Sequence, residues 1–471
     1  MLGSAAARSR LALVCGLIAV QLALVVALCN RIHPIRPTGR VQVLAFGWSL
    51  MVLAVLGWAW RTGALTGRAL SRLLLIGCAC LQLGAVLGPP VSSDDDFRYV
   101  WDAKVQLAGI DPYRYAPSNP ALLRLRGSFL FPAQQPCLHN PVPGGCTVIN
   151  RPFVHTIYPP AAQLAFDAIW VASDGDHRGH LPFQLAAALG VLVTTMLLIR
   201  LANQRGSPLW PVAAWALSPI VAVEATNNAH IEWLVALLSV LALLALRSGR
   251  PVAAGTAIGA AIATNLYPGL MLVTAGRRPL RLVAAATGVL ALGYLPHVLA
   301  VGPKVLGYLP GYLREENYDN GDRYILVSWF VGHHASSYLA PAVLLAALAW
   351  LWWRGDDAMP ERTAVVAVGA YLLVTTPNYS WYALMLIALI GASGQLRWLW
   401  LGFAPTLEYE SVESGWGPHR ASVVGYGIAL AIAALAMILD HGRIHTLWKR
   451  TNRRRGLQSA RTERRRVPGS S

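Results

Sequence analysis

The sequence predicts an all-α protein that crosses a membrane many times. Hydrophobic residues make up 55% of the 471 positions and charged residues only 13%, against roughly a quarter charged in a soluble domain. The apolar residues gather in long runs, and a bilayer core of about 30 Å asks for about 20 such residues per helix. A net charge of +17 is heaviest at the C-terminal end.

In chain order the runs fall at 11–29, 41–60, 73–87, 181–198, 233–246, 252–263, 282–300, 338–353, 364–376, 381–392 and 421–439. They set the expectation at about eleven spans. The first follows Arg8 and Arg10 as a signal peptide would. It is long for one, however, and Cys29, Asn30 and Arg31 stand where a small-residue cleavage site belongs, so a retained helix is expected. Residues 1–442 then form one multi-span unit and 443–471 a basic tail. That tail carries Lys449, Arg450, Arg453, Arg454, Arg455, Arg461, Arg464, Arg465 and Arg466 against Glu463. Directly after a span, such a run marks the cytoplasmic side and meets anionic lipid headgroups rather than nucleic acid.

Polar stretches at 91–156, 302–323 and 406–420 interrupt the apolar pattern. Connections beyond about 12–15 residues tend to be functional. Counting Arg8, Arg10, Arg61, Arg68 and Arg72 as inside puts 91–156 outside, although Arg31, Arg36 and Arg40 then run against the rule. Keeping 302–323 outside as well needs a re-entrant break at Asn265, Pro268 and Gly269, and a helix lying along the interface over 159–171. Cys15, Cys29, Cys78 and Cys80 sit in apolar helices as packing residues. Cys137 and Cys146 flank a short Pro/Gly-rich loop and suit a disulfide on an oxidising face. With His139 they fall short of a closed metal-ligand set.

The string SSDDDFRYVWDAKVQLAGIDPY at 92–113 is the richest in chemistry. Phe97, Trp101, Val105 and Ala108 recur at helical spacing, which predicts an amphipathic helix leaving a span. Ser93 and Asp96 have capping-box spacing, Gly109 and Pro112 close the helix, and Asp95, Arg98 and Asp102 share its polar face. Capping accounts for one aspartate. Three in a row repel, and repulsion with partial desolvation raises a carboxyl toward the range of a general base. Arg151, His155 and Tyr158 follow in a second string, where an interfacial anchor is the plainer reading. Glu224, Asn227, Asn228, His230 and Glu232 are polar groups between apolar helices, expensive to bury and therefore candidates. His230 and Glu232 cannot share a helix face at that spacing. The second loop adds Arg314, Glu315, Glu316, Asn317, Asp319, Asp322 and Arg323, and 375–382 marks a helix break. Arginine in fork geometry and tyrosine at the rim suit a phosphate and a sugar ring.

SDDDFRYVWDAKVQLAGIDPYRYAP followed by INRPFVHTIYPPAAQ resembles bacterial members of the C-type glycosyltransferases, particularly the polyprenol-phosphate-mannose-dependent family 87. NAHIEWLVALLSVLAL and GAAIATNLYPGL fall where that family carries His-x-Asp and Lys-x-Tyr-Pro patterns, and TTPNYSWYALML resembles its late Trp-Tyr segment. The resemblance runs from about Asp94 to Leu386. It implies a C-type helical bundle, a polyprenyl-phosphate-linked donor, often of mannose, and an acidic base in an early outer loop. Carried over, the base is Asp95 or Asp94. Two departures stand out: Asn265 where a lysine is common, and Glu232 in place of an aspartate.

The resulting expectation is an inverting single displacement needing no cofactor. Asp94 or Asp95 takes the acceptor proton, while Arg98, Arg151, His155, Tyr158, His230, Arg314 and Arg323 bind the donor's phosphate and sugar. A divalent ion at Asp94–Asp96 is the alternative to direct base catalysis. The rival class is a transporter or lipid flippase using Asn227, Asn228, His230 and Glu232 at the midplane with a broken helix at 265–269. A structural membrane subunit is the third reading.

Overall fold

A computed structural model describes residues 5–30, 39–133, 137, 140–173, 179–276, 279–355, 358–407, 415, 417 and 419–439. His139, the basic tail and most of the third polar loop lie outside them. The chain is an all-α multi-pass membrane protein. Among the described residues seven helices are long and apolar enough to span: Ser9–Cys29, Val41–Arg61, Gly67–Ala85, Leu181–Arg205, Leu280–Glu315, His333–Arg354 and His419–Leu439. Val221–Asn227 and Glu232–Arg247, bent by 110°, make an eighth if taken as one span. The runs expected at 252–263, 364–376 and 381–392 are helices of 12, 16 and 10 residues, Pro251–Ile262, Pro360–Thr375 and Leu384–Ser393. Length and composition therefore give seven or eight crossings where about eleven are expected.

Of the first three helices, α1 (Ala5–Cys29), α2 (Gly39–Arg61) and α3 (Gly67–Ala85), the first packs against both of the others. Lipid supplies no water to displace, so helices associate there by close packing of small residues. Pro251–Ile262 shows this most plainly. A Cβ at Gly255 would stand 2.1 Å from the Leu282 carbonyl oxygen, and one at Gly259 would stand 2.6 Å from that of Ala286. Only glycine at both positions lets this short helix lie directly against Pro279–Val301.

Helix α4 (Asp95–Leu107) lies over α5 (Pro160–Ala172). Tyr99, Val100, Trp101, Val105 and Phe166 are buried there, with Tyr99 stacked on Phe166 at 4.4 Å. Complete burial of such side chains is worth about 1.5–3 kcal/mol each. The polar face read from the sequence is buried too. Arg98 Nε meets Asp102 Oδ1 at 2.9 Å, and Gln163 Nε2 donates to Asp102 Oδ2 at 3.1 Å. The capping box does not form. Asp94 is the N-cap residue, and Ser93 Oγ accepts from the Asp95 amide instead of the Asp96 amide. Beyond α4, the strands Asn140–Val142 and Gly145–Thr147 make a small antiparallel hairpin, and Cys137 is bonded to Cys146 with their Cα atoms 5.5 Å apart.

Candidate active site

The site is organised by a distorted helix. After α6 (Leu181–Arg205) the chain enters a π-helical stretch, Val221–Asn227, a form that recurs at functional sites because it re-aims side chains. Ala229 then turns with φ 55°, and Glu232–Arg247 leaves at a steep angle. The turn is secured from α3. Asn227 Nδ2 donates to the Ala85 carbonyl at 2.9 Å, and Asn228 Oδ1 accepts from the Val91 and Ser92 amides at 3.1 and 3.2 Å. Asn227 and Asn228, offered as part of a midplane transport site, are thus spent on holding the 86–92 connection.

Glu224, on the π-helix, accepts from Ser380 Oγ at 2.6 Å and from Asn228 Nδ2 at 2.9 Å. Its Oε2 lies 3.2 Å from His230 Nδ1. The opposite ring nitrogen, Nε2, meets Ser93 Oγ at 2.9 Å and stands 3.8 Å from Asp95 Oδ2. Asp95 Oδ1 accepts from Asn150 Nδ2 at 2.6 Å, and Asp94 Oδ1 shares that amide at 2.8 Å. A buried carboxylate, a buried imidazole and a half-buried carboxylate therefore stand in series, and the last faces a cavity.

That cavity has a volume of about 660 Å³. Its lining combines polar side chains, Asp94, Asp95, Asn150, Arg151, His155 and Glu232, with aromatic and apolar ones, among them Tyr312, Tyr318, Tyr371, Tyr382, Leu309 and Leu344. Trp381 stacks on Tyr379 at 4.4 Å between centroids and lies 4.0 Å from the His230 ring. Drug-sized ligand cavities have this character, largely apolar with a few convergent polar groups.

Of the residues singled out from the sequence, Asp94, Asp95, Arg98, Arg151, His155 and Tyr158 all line this cavity. His230 stands behind Asp95. Arg314 is exposed and outside the lining. Arg323 is also outside it, in a buried ion pair with Glu316 at 2.5 Å, and Glu316 in turn accepts from Tyr379 at 3.0 Å. These two arginines do not reach the place expected of donor ligands, because the second loop folds back on itself. Arg151 is held in a fork by Glu315, with Nε to Oε1 at 2.8 Å, and its φ of 42° is one few non-glycine residues adopt. Burial, then the neighbouring Lys304 and Arg98, push the pKa of His155 below the ordinary value. Asn150, Ser380 and Trp381 had no assigned role in the sequence, and only the INRPF and TTPNYSWY strings signalled that something stood there; Glu224 was a candidate without a partner.

The three aspartates divide. Burial raises the Asp94 carboxyl, with the Asp95 charge adding to the effect. Asp96 is fully buried outside the cavity lining, no side-chain donor reaches either oxygen, and burial with its two acidic neighbours pushes it up to about 8. A carboxyl raised above its unfolded value binds its proton more tightly in the folded state, so stability falls as pH rises from about 4 through 8. Asp96→Asn should remove that slope. Its melting temperature in detergent should match wild type near pH 4 and exceed it at pH 8.5; equal curves at both would contradict the assignment. Among the described residues no group of three His, Cys, Asp or Glu side chains is arranged to hold a metal ion.

Comparison with known proteins adds the class. No curated protein and no solved structure matches the chain. The profile of glycosyltransferase family 87, a C-type family, matches residues 157–377. The matched segment starts just after the Arg151–His155 stretch and takes in Glu224, His230, Glu232 and Asn265. It leaves the aspartates of α4 upstream. Residues 157–377, which form much of the cavity wall of this multi-pass helical bundle, are similar to glycosyltransferase family 87, and that similarity supports a glycosyltransferase.

Proposed function

We propose that the protein transfers a hexose, mannose first among the candidates, from a polyprenyl-phosphate-linked donor to a membrane lipid or glycan acceptor. The reaction takes place at the extracytoplasmic face, and the C-terminal tail lies in the cytoplasm. The observation that carries this is one cavity lined both by Asp95 with other polar groups and by many aromatic and apolar side chains. Such a lining suits a ligand that is part sugar and part lipid chain.

In the displacement, the acceptor hydroxyl oxygen forms a bond to the anomeric carbon from the face opposite the phosphate. Its proton passes to Asp95, while the bond to the phosphate oxygen breaks and its electron pair stays on the leaving phosphate. A β-linked donor gives an α-linked product. His230 behind Asp95, held by Glu224, offsets the carboxylate's charge and keeps it aimed. Arg151 and Arg98 are the cations beside the leaving group, where fixed charge lowers the barrier most. Both start out paired, with Glu315 and Asp102. None of these steps requires a metal ion.

The test is transfer of radiolabelled mannose from polyprenyl-phosphate mannose by purified protein in proteoliposomes, with and without EDTA. Labelled glycolipid in both arms is expected. Transport of intact donor with no product would replace the reading by a flippase, and loss of product in EDTA would return a metal to Asp94–Asp96.

A further inference from the structure

The displacement leaves two residues of the cavity wall without a task. Glu232 opens the helix after the bend and is 4% exposed; Asn265 follows the end of Pro251–Ile262. Both line the cavity, and Asn265 Nδ2 donates to Glu232 Oε1 at 2.9 Å. The partner of this nearly buried carboxylate is thus a neutral amide, not a cation. The bond fixes the direction of both groups. It also leaves Glu232 Oε2 and Asn265 Oδ1 as acceptors that no other side-chain donor reaches among the described residues.

A hydrogen-bonded pair that offers two adjacent acceptors suits a ligand bringing its own O–H donors. A phosphate, which brings only acceptors, would be repelled. The location narrows the ligand further. Glu232 is two residues from His230, which stands 3.8 Å from Asp95 and whose ring lies 4.0 Å from that of Trp381. Asp95, Glu232 and Asn265 line the same cavity, so a sugar ring held beside the base has its hydroxyls within the reach of the acceptor pair.

We infer that Glu232, oriented by Asn265, reads hydroxyl groups of the transferred hexose and so sets which hexose is accepted. This rests on the transfer reaction proposed above. The residue acts on recognition, and Asp95 remains the base. A hydrogen bond to a charged group contributes enough for about a ten- to a hundredfold preference, and a site built around one discriminates strongly against a ligand lacking that hydroxyl.

The experiment uses wild type, Glu232→Gln and Asn265→Ala, each purified into proteoliposomes. The probes are polyprenyl-phosphate mannose and its four monodeoxy analogues, with both equilibrium donor binding and transfer measured. Wild type should lose about ten- to a hundredfold in kcat/KM, mostly through KM, on at least one analogue. Glu232→Gln should lose a comparable factor on the full donor and become indifferent to that same deoxygenation. Asn265→Ala should move in the same direction, and it carries the test if Glu232→Gln does not fold. A fall that is equal for all five donors means a structural role and overturns the inference. So does an effect confined to acceptor KM. If wild type binds donor but transfers nothing, the reaction is wrong, and the analogue affinities still decide the role of Glu232. No binding and no transfer overturns both.

Discussion

Asp95→Asn is expected to reduce turnover by about 10²- to 10⁴-fold, the range a positioned general base contributes, with donor affinity little changed. The asparagine is isosteric and can keep the bond from Asn150, now 2.6 Å to Asp95 Oδ1, so the wall keeps its shape. It cannot accept the proton. Asp94→Asn should cost far less, because Asp94 is exposed at the rim and makes no contact with His230. The comparison resolves the adjacency that left the two alike in sequence. Single-turnover rates with saturating donor check it: equal losses in the two variants would mean that the pair acts as a unit, and full turnover in Asp95→Asn would remove the base from this residue altogether. His230→Gln should fall between them, since it leaves Asp95 in place and removes only what stands behind it.

The second large effect is on folding. Glu361→Ala should leave little protein that survives extraction, and what survives should melt far lower. Glu361 is fully buried at the start of Pro360–Thr375, 3.0 Å from Arg205 Nε and 3.5 Å from Arg247 Nη1. The two arginines sit in the last turns of α6 and of Glu232–Arg247. The carboxylate therefore faces one helix N-terminus and the cations face two C-termini, as the peptide dipoles favour. Removing one member of a buried charge pair costs about 3–5 kcal/mol, because the others are left unmatched. Fluorescence-detected size exclusion after graded heating would measure it. A melting curve equal to wild type would show that water already solvates this cluster. Glu361→Gln, which keeps a hydrogen-bond acceptor, should fall between the two.

How much was legible in the sequence depended on how local the cause was. Long apolar runs and the recurrence of Phe97, Trp101 and Val105 predict helices from spacing alone, and the structure has helices at those places. What spacing could not show was the partner of a buried charge. Asp95, Arg98 and Asp102 look like one exposed stripe. Yet Arg98 turns to Asp102 inside the fold and Asp95 turns to His230, 135 positions away in the chain. The Glu224–His230 pairing was hidden for a different reason. The two are six apart, a spacing that brings no side chains together on a regular helix, and only the π-helical stretch with its sharp bend does so. Arg323 was placed in a polar loop by sequence, and spacing could not show that it lies outside the cavity lining and pairs with Glu316, seven residues earlier. The shorter helices leave the number of crossings at seven or eight by length and composition, because hydropathy reports polarity and not where a helix stops.

The glycine-faced helix Pro251–Ile262 has a consequence for the cavity wall. Twelve residues rise about 18 Å at 1.5 Å each, well short of the hydrocarbon thickness, so this segment has no stable resting place in lipid by itself. It is held on both sides, by Glu232–Arg247 before it and Pro279–Val301 after it. Asn265 lies three residues beyond its end, so the place of that side chain in the cavity wall depends on the packing of all three helices.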